Sequence, residues 1–168
     1  MSLIADKTLF QSSFATLPLS TYQAGETVIA DGSTTGRLLI LKKGTVAIVK
    51  EGTEIAKVVE PGAVFGELSV LLDQPHAADV RALDTSQFHV ADATALLTQN
   101  PIAVLYIATM LAQRLNAANH ALIQLKQQLL AGEPQSVVAK TVSEMEGLLI
   151  SNASLVYAGY PHDPYTHH

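Results

Sequence analysis

Phe65-Gly66-Glu67-Leu68-Ser69-Val70-Leu71-Leu72-Asp73-Gln74-Pro75-His76-Ala77-Ala78-Asp79-Val80-Arg81-Ala82 is the stretch on which the fold turns. Gly66 lets the backbone approach a neighbour closely. Glu67 sets a carboxylate directly behind it, and residues 68–72 supply one or two apolar helical turns. A helix that starts just after a glycine leaves N–H groups unpaired at its N-terminus, which favours an anion such as a phosphate. Glu67 also stands where a carboxylate favours a first helical turn on its own account. Asp73-Gln74-Pro75 breaks the helix, and 77–82 runs on as a strand. Helix start, break and strand make one continuous pocket wall.

Upstream, short β-rich runs alternate with turn residues. Strands are expected at 19–23, 27–30, 37–42, 45–50, 53–60 and 86–91 besides 77–82. Gly25, Gly32, Gly36, Gly44, Gly52 and Gly62 fall between them. This cadence indicates an antiparallel sandwich or jelly roll and not alternating βα units. Lys43-Gly44 and Glu51-Gly52 are expected as hairpin turns. Before the strands, Leu9, Phe10, Phe14 and Leu17 mark an amphipathic helix over 7–17, ended by Pro18.

Downstream, Asp92 is placed to cap a short helix through 99, and Asn100-Pro101 to cap the next. That helix runs to about Ala131, where Gly132 and Pro134 stop it. At 1.5 Å per residue it measures roughly 45 Å, more than a core of this size covers. Leu111, Leu115, Ala118, Leu122, Leu125 and Leu129 recur at alternating spacings of four and three, the pattern of a coiled-coil seam. A homodimer through this stripe is expected. Val138, Val142, Met145 and Leu149 form a further helical stripe expected to fold back on the core or on a dimer partner. An extended tail over 156–168 carries His162, His167 and His168. The chain divides as 1–99, 100–131 and 132–168.

The stretch 65–82 resembles the phosphate-binding cassette of cyclic nucleotide-binding domains, the family of the catabolite activator protein and the regulatory subunits of protein kinase A. In that family the cassette reads Phe-Gly-Glu-Leu/Ile-Ala/Ser, a short helix, then Pro-Arg-Ala-Ala-Thr/Ser-Val. Phe65, Gly66, Glu67, Leu68, Ser69, Pro75, Ala77, Ala78 and Val80 match it. Ala24-Gly25-Glu26, Ile29-Ala30-Asp31-Gly32, Leu39-Ile40-Leu41, Lys43 to Ile48 and Pro61-Gly62 extend the resemblance over about 14–130. The fold it implies is α+β and mainly β: an antiparallel double-stranded β-helix followed by a long dimerisation helix. It implies that Glu67 holds a ribose 2′-hydroxyl and that Gly66, Leu68 and Ser69 line the sugar and phosphate. Phe65, His76, Ala77 and Asp79 complete the candidate wall. Asn119, on the long helix, falls about where the family meets the base, and its amide can read a purine edge.

Two positions depart from the family. His76 stands where the family has its phosphate-binding arginine, and Asp79 where it has Thr or Ser. Arginine grips phosphate with two parallel charge-assisted hydrogen bonds and keeps its charge. An unperturbed imidazole is mostly neutral near pH 7 and offers one well-aimed donor. Losing that fork weakens binding by about ten- to a hundredfold. An inward-facing Asp79 would repel a phosphate as well. Weak or absent binding of cyclic AMP or GMP, or a ligand of different charge, is therefore expected.

Composition narrows the function classes. The 168 residues are 48% hydrophobic and 15% charged, which describes a globular chain. No apolar run is long enough to span a membrane, and the first ten residues do not read as a secretory signal, so a cytoplasmic protein is expected. With Cys 0, disulfides and thiolate chemistry are excluded. A net charge of −5 and a segment beyond 132 with Lys140 as its one Lys or Arg speak against DNA binding. An enzyme is not expected: no nucleophile elbow or Gly-x-x-x-x-Gly-Lys loop occurs, and His76 and His89 stand apart. Asp73, His76 and Asp79 lack the spacing of a metal site, and none is expected. The sequence thus points to a dimeric, ligand-sensing regulatory module with an unknown protein partner. The alternative is a scaffold on the same fold without a ligand.

Overall fold

The computed structural model describes residues 7–132 and 134–150. The side chains of Leu9 and Leu149, and the tail 156–168 with its histidines, lie outside the described residues. The elements in order are α1 (Lys7–Phe14), β1 (Leu19–Tyr22), β2 (Thr27–Ile29), β3 (Arg37–Lys43), β4 (Val46–Lys50), β5 (Thr53–Val58), β6 (Val64–Phe65), α2 (Glu67–Leu72), β7 (Asp79–Ala82), β8 (Ser86–Asp92), α3 (Ala93–Gln99), α4 (Pro101–Ala131) and α5 (Gln135–Ile150). The strands form two antiparallel four-stranded sheets, ordered β1-β8-β3-β6 and β2-β7-β4-β5. This is the expected jelly-roll-like architecture, closed by a long helix.

The two sheets face each other across a core built from Ile29, Leu39, Leu41, Val46, Ile48, Val58, Phe65, Val80 and Phe88. A second core lies on the other side of the first sheet, where Phe10, Phe14, Leu38, Ile40, Val64, Ala103 and Ile107 join it to α1 and α4. Strand side chains alternate between faces. The unbroken run Leu38-Leu39-Ile40-Leu41 therefore serves both cores from one strand, and all four residues are buried.

The Glu51-Gly52 turn is as expected. Both residues have positive φ, 50° and 77°, and Lys50 pairs with Thr53 across the β4–β5 hairpin. Lys43-Gly44 is a correction: β3 and β4 belong to different sheets, so this turn is a corner and not a hairpin. Gly44 has φ 107°, and a Cβ there would come within 2.3 Å of Ser86 Oγ, so the corner needs the missing side chain. Strand β6 was not foreseen. Its two residues borrow their strand character from pairing with Leu39 and Ile40.

Asp92 and Asn100 cap α3 and α4 as their chemistry dictates, accepting hydrogen bonds from the amides of Ala95 and Ala103. Helix α4 ends at Gly132 with φ 69°. Its seam splits in two. Ala118 is buried and Leu111 and Leu125 are half-buried, whereas Leu115, Leu122 and Leu129 are more than half exposed. Helix α5 folds back within the chain onto α4 and β5. Thr141 is buried there, and its hydroxyl donates to Gln128 Oε1 at 2.9 Å.

Candidate functional site

Strand β6 delivers the chain to Gly66, whose φ of 92° opens helix α2. A Cβ at Gly66 would lie 2.6 Å from the Arg37 carbonyl oxygen and 3.4 Å from His76 Cε1. Only glycine passes this point without displacing backbone. Helix α2 lasts six residues and stops at Asp73, itself left-handed with φ 51°. Ser69 secures the stop. Its hydroxyl donates to the Gln74 carbonyl at 2.6 Å, and its carbonyl accepts from the Gln74 amide at 3.0 Å.

The loop beyond is pinned to the segment that joins β2 to β3. His76 donates its backbone N–H to Ser33 and accepts from Gly32, both at 2.8 Å. These bonds turn the ring inward, and His76 is buried. His76 Nε2 meets Thr35 Oγ1 at 3.0 Å. Burial pushes the imidazole below its ordinary pKa, while the nearby Glu67 carboxylate pulls weakly the other way. Burial thus favours the neutral form of the ring.

Glu67 is buried too, and its carboxylate is already engaged. Arg114 Nη1, from the middle of α4, donates to Glu67 Oε1 at 2.5 Å, and both residues are under a tenth exposed. A buried pair of this kind offsets the cost of desolvating each charge only while both partners remain. Helix α4 is thereby tied to the cassette.

Phe65, Gly66, Glu67, Leu68, Ser69, His76 and Ala77 are brought together around one cavity, which Gln74, Pro75, Ala78 and the core residues Ile29, Ile48, Val64 and Val80 help to close. Two further candidates are not among its walls. Asp79 is turned away: its carboxylate accepts from the Asp31 amide at 2.8 Å and pairs with Arg81 Nη2 at 2.8 Å. Those contacts, the Asp31 amide first, hold it below the usual carboxylate range. Asn119 is exposed on α4. The cavity measures about 60 Å³. That is room for a few waters, well below the roughly 300 Å³ at the lower end of small-molecule sites. A nucleotide would have to widen it.

Arg114 and Thr35 were not foreseen as members of the site. Arg114 carried a signal, since it interrupts the inward stripe of α4 between Leu111 and Ala118 and needs a buried anion opposite. Thr35 carried none. Among the described residues, no group of three or more His, Cys, Asp or Glu is placed to hold a metal, and no single helix is long and apolar enough to cross a membrane.

Residues 19–99 match the family model described as cyclic nucleotide-binding domain. Over 101 residues the chain is 30% identical to the cGMP-dependent protein kinase egl-4 of Caenorhabditis briggsae, a match that covers 60% of this chain and 12% of the kinase. Among solved structures, a cyclic nucleotide-binding domain from Methylobacillus flagellatus KT aligns with a TM-score of 0.55 at 23% identity, over 65% of this chain and 66% of that one. The catabolite activator protein of Thermus thermophilus aligns with a TM-score of 0.59 at 19% identity, over 86% and 80% of the two chains. Over residues 19–99 the β-roll thus matches the cyclic nucleotide-binding domain family, and it shares the fold of these structures. Its family is one of regulatory modules, and the likeness to the kinase stays within that module.

Proposed function

We propose that this chain senses a small phosphate-bearing ligand at the cassette and binds ordinary cyclic AMP or cyclic GMP weakly, with no catalytic step of its own. The observation that carries this reading is His76, an imidazole bonded to Thr35 where the family has a permanent cation. The Glu67–Arg114 pair adds to it, because a ribose hydroxyl must share or displace Arg114 to reach that carboxylate. Occupancy would press on the cassette, and the same pair would pass the change to α4. Exposed Leu115, Leu122 and Leu129 suit α4 to pair with a second copy, with Leu111 and Leu125 at the edge of that face.

Isothermal calorimetry with cyclic AMP and cyclic GMP at pH 7.5 and pH 5.5 tests the ligand. Saturable heat is expected, with higher affinity at the lower pH; the absence of heat at millimolar ligand would leave the scaffold alternative. Sedimentation of Leu122→Lys beside the wild type tests the pairing. A wild-type dimer that the substitution dissociates is the expected result, and a wild-type monomer would remove this part of the proposal.

A further inference from the structure

The cassette's missing positive charge has a second possible source in the sheet beneath it. Strands β4 and β7 pair in register, Ile48 opposite Val80 and Val49 opposite Asp79. Ile48 and Val80 face inward and line the cavity. By the two-residue alternation of a strand, Val49 and Asp79 face outward, and Lys50 returns to the inner face. Lys50 is the last residue of β4, two positions beyond the cavity wall Ile48 and not itself among the walls.

Its ammonium reaches the loop that carries His76. Lys50 Nζ donates to the Ala77 carbonyl at 2.5 Å and lies 4.0 Å from Asp31 Oδ2. Ala77 is a cavity wall and adjoins His76. Two other cations near the cassette are differently placed. Arg81 shares the outer face with Asp79 and pairs with it there, and Arg114 holds Glu67 at the opposite end. An ammonium has three donors, of which the Ala77 carbonyl occupies one. The side chain is 39% exposed, so a ligand's phosphate can reach it without burying a new charge.

We infer that Lys50 is the phosphate-binding cation of this site, supplying from strand β4 the charge that His76 does not hold. This rests on the proposed reading of the cassette as a ligand site. The ligand class is a phosphodiester or phosphomonoester held by its negative charge. A lysine meets it as a point charge on a flexible stem, without the fixed fork of arginine. The grip is therefore weaker and less demanding of phosphate geometry, and it competes with Asp31 for the same ammonium.

Calorimetry of the wild type, Lys50→Met and Lys50→Arg against cyclic AMP and adenosine tests the inference. Adenosine keeps the base and sugar and lacks the phosphate. The wild type should prefer cyclic AMP, and added salt should narrow the preference. Lys50→Met, which keeps the apolar stem, should lower cyclic AMP affinity about tenfold, the worth of one charge-assisted hydrogen bond, with adenosine unchanged. Lys50→Arg should retain the preference. If Lys50→Met binds cyclic AMP as the wild type does, or weakens both ligands alike, the inference is overturned and the ligand site stands. If the wild type binds neither compound, the ligand site and the inference fall together. Urea midpoints of the three proteins show whether a loss comes from unfolding.

Discussion

At one end of the cassette Glu67 is buried as a charge, held by Arg114 from a helix 47 residues away. At the other end His76 is buried as a neutral ring, held by one hydroxyl of the β2–β3 segment. The first end is costly to open, because freeing either partner leaves an uncompensated charge in a dry place. The second gives up one neutral hydrogen bond, worth on the order of 1 kcal/mol. A ligand entering this pocket would meet little resistance at His76 and much more at Glu67. The two ends thus divide the labour: one anchors the cassette to the body of the protein, and the other is the end that yields.

The largest effect expected from this contrast is on stability. Arg114→Met should cost about 3–5 kcal/mol in urea unfolding, since the Glu67 carboxylate stays buried without its partner. The double substitution Glu67→Leu with Arg114→Met should recover most of that loss. A single variant that loses under about 1 kcal/mol would show that the pair is not held as described.

The next effect is on affinity and belongs to the other end. His76→Arg should raise cyclic AMP affinity by about ten- to a hundredfold, as a charged fork replaces a neutral ring. Asp79→Thr should add little to it, because the Asp79 carboxylate is spent on Asp31 and Arg81 outside the cavity. Equal gains from the two substitutions would mean that Asp79 faces the ligand after all.

The smallest effect is on pH dependence. Burial lowers the His76 pKa, so the unfolded chain takes up a proton before the folded one does. Stability from this group is full above the unfolded value of about 6.5 and is lost as pH falls from there through the folded pKa. Affinity for an anion should run the opposite way over the same window, because a bound phosphate favours the protonated ring. His76→Asn should flatten both profiles, measured as urea midpoints and calorimetric affinities between pH 7.5 and pH 5.

The sequence revealed most where the governing chemistry is local. Asp92, Asn100 and Gly132 mark helix ends because each cap is made within a few residues. Glu51-Gly52 marks a hairpin because both residues need positive φ. Sheet membership is not local, and so Lys43-Gly44 read as a hairpin when it is a corner. The leucine stripe of α4 was visible as a period, but not which half α5 and the rest of the chain would cover. The cassette wall was legible from Phe65 to Ala77 through its likeness to a family. Of its partners, Arg114 left only the hint of a charge within an apolar stripe and Thr35 left none, because a side-chain contact across more than forty positions leaves no spacing to read.

Strand β3 has Leu39 and Leu41 in one core and Leu38 and Ile40 in the other. Its amides are paired on both sides, to β8 and β6. Deuterium should therefore enter β3 only when both cores open, so its slowest amides report the unfolding of the whole molecule. The loop around His76 can exchange by its own smaller opening. In a time course of exchange the protein carries an internal clock on β3, against which any tightening of the cassette by a ligand can be timed.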